Sequence, residues 1–363
     1  MVQDTIIELA TGRTKESDVT GSATSSTALE PTIWLKQLVD AAQKRLMFMS
    51  AMKIARLQKG QKDLVIPYRS TYLGSSGVSY TTTTPADATA ITATKLDNLD
   101  GVTFTPTLQA SRVSVGNYAL QTNAVNLIDA ARDELIYSIS DKIDAYIATT
   151  LGDASSTTSA ATGLQILYGG DATSDNTLSA GDVLTTDLVA EARKLIMIAN
   201  KQYRASTGTG GGYGAVQAGT VAGNPWASSP DEPFLFYIGP AQEEAFLKDS
   251  QFVNAAEYGS NEIILNGEVG RYLGIKIIVT NNVEQVASGS EGPDAETANA
   301  GAAMTRCLLV KAQRCGGFVW GLEPRLKIFD HVIEISQDIV LEAAYIASVI
   351  HGDAIVAVDV SDA

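Results

Sequence analysis

The amino-acid sequence predicts an α+β protein, and three observations carry that prediction. Apolar residues recur at helical spacing over roughly 123–151. Short alternating or continuous apolar runs mark strands on both sides of that stretch. Helices and strands interleave without the regular alternation of a doubly wound parallel sheet. At 363 residues, 45% of them hydrophobic and 18% charged, the chain can bury a sizeable core over two or three domains.

Residues 1–28 are polar and rich in Ser, Thr and Gly, the composition of a flexible arm. Trp34, Leu35, Leu38, Val39, Ala42 and Leu46 then repeat at helical spacing, with Pro31 where a first turn accepts it, so an amphipathic helix is expected over 31–47. Asp63 to Tyr68 is a short strand. Val102, Phe104, Leu108, Val113 and Val115 predict a second, longer one. Between them, Ser70 to Thr94 is almost all Ser, Thr, Gly and Ala. Two strands bracketing a polar tip form a projecting ribbon. Such a ribbon is marginal by itself, so something outside it is expected to hold it.

The long helix follows. Ala124, Ile128, Ala131, Leu135, Ile139, Ile143 and Ile147 form its apolar stripe, while Asp129, Arg132, Asp133, Lys142 and Asp144 are expected on its solvent faces. It is a rod of roughly 40 Å. Past a low-complexity stretch at 152–185, Thr185-Thr186-Asp187 offers capping oxygens to a further helix carrying Leu188, Ala192, Leu195 and Ala199. Gly/Ser/Ala-rich sequence fills 205–230, and a polar insert fills 287–302. Later strands are expected at Cys307–Val310, Gly317–Trp320, Val332–Ile335 and Ala354–Val358.

Composition and motifs exclude most chemistry. With 26 basic and 41 acidic residues the net charge is −15, a poor basis for gripping nucleic acid. Met1 to Thr5 lacks the basic start and apolar core of a secretory leader, and no uninterrupted apolar run is long enough to span a bilayer. Cys307 and Cys315 suit small buried hydrophobes better than a zinc or disulfide framework. Gly210 to Ala215 satisfies G-x-G-x-x-A without the flanking strand and helix that a dinucleotide site needs. Asp97 to Gly101 lacks the spacing of a calcium loop. His331 and His351 have no G-x-S-x-G partner. No catalytic, cofactor-binding or metal-ligating residue is therefore expected. Seven basic residues, Lys36, Lys44, Arg45, Lys53, Arg56, Lys59 and Lys62, do cluster, either as a solvated helix face or as a segment meeting acidic surfaces of neighbouring copies.

One stretch has a distinctive order. The buried-strand run Phe234-Leu235-Phe236-Tyr237-Ile238 turns at Gly239-Pro240, and a short amphipathic segment follows to Leu247-Lys248-Asp249. Gly267, Gly270 and Gly274 then punctuate the approach to the strand Ile275–Val279. This order resembles the axial domain of tailed-phage major capsid proteins, the Hong Kong 97 fold. The resemblance implies an N-terminal arm and helix over 1–58 and an extended β-ribbon loop over 59–115. It further implies a peripheral domain with a spine helix over 116–185 and 332–363, and an axial domain over 186–331. The structural motif residues are Pro240, Gly267, Gly270 and Gly274.

The same resemblance implies a non-enzymatic subunit assembling as hexamers and pentamers into the icosahedral head of a virion in the host cytoplasm. The shell would enclose double-stranded DNA without sequence-specific binding, with portal, scaffolding or decoration proteins as partners and no membrane. An encapsulin-like nanocompartment shares the fold. A hydrolase using His331 or His351 is the alternative from another class.

Overall fold

A computed structural model describes residues 47–70, 99–122, 126–152, 165–172, 175–198, 200–201, 204–206, 213–216, 221–222, 224–230, 232–249, 270–290, 301–331 and 333–362. Of the helix expected over 31–47 only Met47 is among these residues, and the ribbon tip and Gly267 lie outside them.

A 3-10 turn, Phe48–Ala51, leads into β1 (Met52–Arg56), β2 (Leu64–Arg69), β3 (Leu99–Phe104) and β4 (Thr107–Gly116). Helices α1 (Asn117–Thr122) and α2 (Leu127–Gly152) follow, then β5 (Gln165–Tyr168) and α3 (Thr186–Met197). Four short strands, β6 (Asn200–Lys201), β7 (Arg204–Ser206), β8 (Tyr213–Val216) and β9 (Val221–Ala222), precede β10 (Phe234–Ile238) and α4 (Pro240–Lys248). The remainder is β11 (Arg271–Tyr272), β12 (Ile275–Val279), β13 (Glu284–Val286), β14 (Met304–Lys311), β15 (Gly316–His331), β16 (Ser336–Val349) and β17 (Ile355–Ser361).

Two sheets organise the core. The larger has seven strands in the order β11-β12-β10-β14-β17-β5, with β13 also on β14. Its central strands β10, β14 and β17 are buried along their whole length, so their sequences are apolar runs rather than alternating ones. Side chains still alternate between faces. Phe234, Phe236, Ile238, Cys307, Leu309, Val356 and Val358 pack on the face that carries α3 and Phe246 of α4. Leu235, Tyr237, Leu308, Val310, Ile355 and Ala357 pack on the other, against Ile143, Ile147 and Leu151 of α2.

The smaller sheet runs β1-β15-β16-β4. β15 and β16 form a long hairpin, and the odd-numbered residues from Ile339 to Val349 are buried. Ile339 and Leu341 meet Leu135 of α2, with Ile128, Ala131 and Ile139 beside them. The long helix therefore serves both sheets. It is described from Leu127 to Gly152.

A buried ion pair ties the end of α2 to the larger sheet. Arg306 and Asp359 are cross-strand partners on β14 and β17. The guanidinium is bidentate to the carboxylate, Nε–Oδ1 at 2.8 Å and Nη2–Oδ2 at 2.6 Å, and both side chains are essentially inaccessible. Arg306 Nη1 also donates to the carbonyl of Gly152 at 3.4 Å, serving one of the orphan carbonyls at the C-terminus of α2.

Capping is local and legible. Thr185 Oγ1 accepts from Leu188 N at 3.3 Å at the start of α3, as its sequence predicts. The β11–β12 turn places both Leu273 and Gly274 at positive φ, 48° and 77°, the left-handed pair that a two-residue hairpin with type I′ twist needs. A Cβ at Gly274 would meet no atom within 4 Å, so that glycine answers a backbone requirement and not a close approach.

Three expectations change. The single strand expected from Val102 to Val115 is two strands separated at Thr105-Pro106: β3 pairs only with β2, while β4 joins the smaller sheet. Proline lacks the N–H that a continuous ladder would use there. The strand expected over Val332–Ile335 is instead the turn of the β15–β16 hairpin across its described residues, with Ile335 at φ 49°. Sheet membership also cuts across the expected segmentation. β15 (within 186–331) lies beside α2 in the smaller sheet, and β17 (within 332–363) lies in the larger.

Arg306→Ala should cost about 3–5 kcal/mol, because it strands the Asp359 carboxylate in the core. Arg306→Met combined with Asp359→Leu should recover most of that loss. Urea unfolding midpoints of the single and double variants check both expectations.

Candidate assembly surface

The site begins at a carboxylate that the helical pattern places on the solvent side. Asp144 is instead 3% exposed. Its Oδ1 accepts from Met47 N at 3.1 Å and Phe48 N at 2.8 Å, and its Oδ2 accepts from Asn282 Nδ2 at 3.0 Å. Those donors come from the turn before β1 and the loop after β12, so one side chain on α2 holds a segment of each sheet. Tyr237 of β10 completes the junction. Its ring stacks on Phe48 at 4.2 Å between centroids, and its hydroxyl lies 2.9 Å from Ser50 Oγ and donates to Met47 O at 3.3 Å. Burial pushes that hydroxyl's pKa far above its ordinary value, so it remains a donor. The sequence signal for this junction was a second line on the helix: Asp144, Ala148 and Gly152 step by four, and all three are buried. Small residues at that spacing admit a close neighbour. At Gly152, a Cβ would come within 3.3 Å of Glu284 Oε2.

From this junction the ribbon projects. β2 and β3 pair antiparallel from Leu64↔Phe104 to Arg69↔Leu99. At the base, Ile66, Val102 and Phe104 pack on Val319 and Ile350, which is the outside support the ribbon needs. Tyr68 faces His351 edge-on, centroids 5.0 Å apart, and Trp226 meets the same imidazole at 5.1 Å. Asn224 Nδ2 donates to Ser70 O at 2.6 Å and to Asp353 Oδ2 at 3.0 Å. Val65, beside that base, and Leu99, at the tip-side end of the pairing, are exposed.

The second projection is the far end of the β15–β16 hairpin. Ile328, Phe329, Ile333 and Ile335 are exposed there, with Ile333 90% accessible. α1 abuts the turn through Asn117 N to Ile335 O at 3.0 Å, and its Tyr118 is 80% accessible. Arg112 of β4 frames the group, 3.0 Å from Glu334 and 3.3 Å from Asp338. An isoleucine in left-handed backbone beside several exposed apolar side chains is an unfavourable surface for a solitary protein and a favourable one for a contact.

The third surface is basic. Lys53, Arg56, Lys59 and Lys62 are all exposed on edge strand β1 and the turn after it, with Arg56 paired to Glu323 at 2.7 Å. They occupy a strand and turn, so the helix-face expectation does not apply to these four. Lysines on an edge strand discourage unwanted strand addition. Lys36, Lys44 and Arg45 fall outside the described residues.

The motif residues take ordinary structural places. Pro240 occupies the first turn of α4, where its missing N–H costs nothing. Gly274 makes the β11–β12 turn, and Gly270 lies just before β11 with its carbonyl accepting from Ile277 N at 3.3 Å. Asp249, which ends the Leu-Lys-Asp run, accepts from Thr186 N at 2.8 Å and Thr186 Oγ1 at 2.9 Å, joining the end of α4 to the start of α3. Of the histidines, His331 closes β15 and accepts from Glu334 N at 3.3 Å, while His351 sits between the two aromatic rings at the ribbon base. Among the described residues no three His, Cys, Asp or Glu side chains gather as a metal site, and no helix is long and apolar enough to cross a membrane.

The architecture is a two-sheet body bridged by one long helix, with a ribbon and a hairpin at its edges. No protein-family profile matches the sequence, and no curated protein matches it significantly. Solved structures do. The capsid of cyanophage P-SCSP1u aligns over 94% of this chain and 95% of its own, with TM-score 0.64 and 15% identity. The capsid of cyanophage Pam1 aligns over 95% and 99%, with TM-score 0.64 and 14% identity. The head of Helicobacter pylori bacteriophage KHP40 aligns over 95% and 99%, with TM-score 0.62 and 12% identity. The chain has the fold of phage major capsid proteins, an α+β fold of the Hong Kong 97 type.

Asp144→Ala should lower stability by about 2–4 kcal/mol, since it leaves buried donors from Phe48 and Asn282 without their acceptor. Asp144→Asn, which keeps one acceptor oxygen, should lose less. Chemical denaturation of both variants reads the difference.

Proposed function

We propose that this chain is the major capsid protein of a tailed double-stranded DNA virus and self-assembles in many copies into the icosahedral head shell. One observation carries the reading: the likeness to phage capsids is coextensive, taking in 94–95% of this chain and 95–99% of the neighbours named above. Little is left over on either side for a different activity.

The physical arrangement fits. Ribbon, hairpin end and basic edge each offer a contact too small to hold a pair of subunits. In a closed shell each subunit makes all of them at once, so weak contacts act together. We assign β2, β3 and the segment between them to the extended loop, α2 with the smaller sheet to the peripheral domain, and the seven-stranded sheet with α3 and α4 to the axial domain. Pro240, Gly267, Gly270 and Gly274 shape the backbone of that axial unit and touch no ligand. Hexamers and pentamers of this chain, with portal, scaffolding or decoration proteins, would complete the head in the host cytoplasm. A charge of −15 leaves the enclosed DNA without a broad basic wall to adhere to, which suits a container that must later release it. The role is structural, with no catalytic step.

Expression of the chain with its neighbouring genes, followed by negative-stain imaging and nucleic-acid assay of the particles, tests the reading. Closed isometric shells containing DNA are expected. Shells filled with a cargo enzyme would reassign the chain to a nanocompartment, and a soluble monomer with hydrolase activity lost on His331→Ala or His351→Ala would overturn the reading altogether. Deleting Gly74 to Ala93 should leave a folded subunit, since the ribbon base retains its packing on Val319 and Ile350, and should abolish closed shells.

A further inference from the structure

The root of the ribbon converges on one imidazole. His351 lies two residues past β16, its N–H donating to Cys315 O at 3.2 Å, and its side chain is 11% accessible. Tyr68 of β2 and Trp226 of the 224–230 segment approach its ring edge-on, with centroids 5.0 and 5.1 Å away. Both lie within the roughly 6 Å over which an aromatic ring attracts a cation. Asp353 places Oδ1 3.7 Å from His351 Nδ1, outside hydrogen-bond range and well inside Coulomb range. The other oxygen of that carboxylate accepts from Asn224 N at 2.7 Å and Asn224 Nδ2 at 3.0 Å. Asn224 Nδ2 also donates to Ser70 O, just past the end of β2. A path of contacts thus leads from imidazole to carboxylate to amide to the ribbon backbone.

We propose that His351 is a proton-dependent latch for the ribbon, holding β2 and β3 more tightly to the body when its imidazole is charged. Histidine is the side chain whose ordinary titration falls between about pH 5 and 8. Protonation makes both ring nitrogens donors and sets a positive charge beside Asp353 Oδ1, so the 3.7 Å gap closes toward a charge-assisted hydrogen bond. The cation also gains from the two flanking rings. Burial alone favours the neutral ring, but a carboxylate this close in an enclosed site outweighs it. The surrounding charges have the same sign of effect. Tyr68 is held above its ordinary pKa by burial first, then by Asp100 and Asp353, so the neighbourhood is acidic. The Cys315 thiol is pushed by burial up to about 12 and stays neutral. Lys311 and Arg314 are engaged by Glu232, and Arg69 is exposed on the alternate side of β2. Because the anchored ribbon binds the proton more tightly than a released one, anchoring is strongest below the folded-state pKa of the imidazole and is lost as pH rises through it. This inference concerns the isolated chain and stands whether or not the chain forms a shell.

Hydrogen exchange on the unassembled full-length chain at about pH 5.5 and about pH 7.5 tests the latch, with protection corrected for the intrinsic rate at each pH and referred to the buried strands β14 and β17. Amides of β2 and β3 should be at least about threefold better protected at the lower pH. His351→Gln, neutral at both, should abolish that difference, and so should Asp353→Asn. Imidazole NMR gives a readout on the titrating group itself. The chain has two histidines, so His331→Ala identifies the His351 signal, and Asp353→Asn should lower its titration midpoint. Equal protection of the ribbon at both pH values, or better protection at the higher one, would overturn the proposal in the parent chain without any variant. A pH difference that survives His351→Gln, or an unmoved midpoint in Asp353→Asn, would overturn it as well.

Discussion

The arrangement depends on one buried carboxylate. A carboxylate moved from water into an apolar core costs several kcal/mol unless its oxygens are filled by donors. Asp144 meets that condition with two backbone N–H groups, from Met47 and Phe48, and one side-chain amide, from Asn282. Phe48 and Asn282 lie 96 and 138 residues away in sequence, one entering the smaller sheet and the other leaving β12 of the larger. Hydrogen bonds to a charged acceptor are short-ranged and directional, so the three together fix both sheets against one point of α2. The stacked Phe48–Tyr237 pair then makes the same junction through packing.

With that junction fixed, the rest follows from coverage. The larger sheet is buried on both faces, by α2 on one and by α3 and α4 on the other, so its sides have little left to offer a partner. Exposed apolar residues include Val65 and Leu99 on the ribbon, and Phe329, Ile333, Ile335 and Tyr118 gathered at the hairpin end. The Arg306–Asp359 pair reinforces the other end of α2, joining its last turn to β14 and β17.

Much of this fold is legible in the sequence, and the reason is periodicity. The stripe from Ile128 to Ile147 is long enough to declare a helix, and the continuous runs at Phe234 and Ile275 are short enough to declare buried strands. The Pro240 turn and the Thr185 cap carry their own local chemistry. What periodicity misses is any residue that breaks it for a tertiary reason. Asp144 is polar and off the stripe, so the pattern assigns it to solvent, and only the small residues at 148 and 152 hint otherwise. Val332–Ile335 reads as a strand by composition, yet the chain reverses there because both long strands of the hairpin end against it. The separation of β3 from β4 turns on Pro106, a single residue between Phe104 and Leu108. The exposed apolar residues were hardest to read. An exposed isoleucine and a buried one look the same in sequence, and the distinction needs the neighbouring elements.

The most direct test of this account is a double-mutant cycle between Asp144 and Asn282 in denaturant unfolding. If the carboxylate couples the two sheets, Asp144→Ala and Asn282→Ala should be non-additive, with a coupling of about 1–3 kcal/mol, within the span seen for groups in one hydrogen-bond network. Both single variants should unfold less cooperatively than the parent chain. Additive losses, within about 0.5 kcal/mol, would contradict the account, because they would mean that the helix and the two sheets are held together elsewhere.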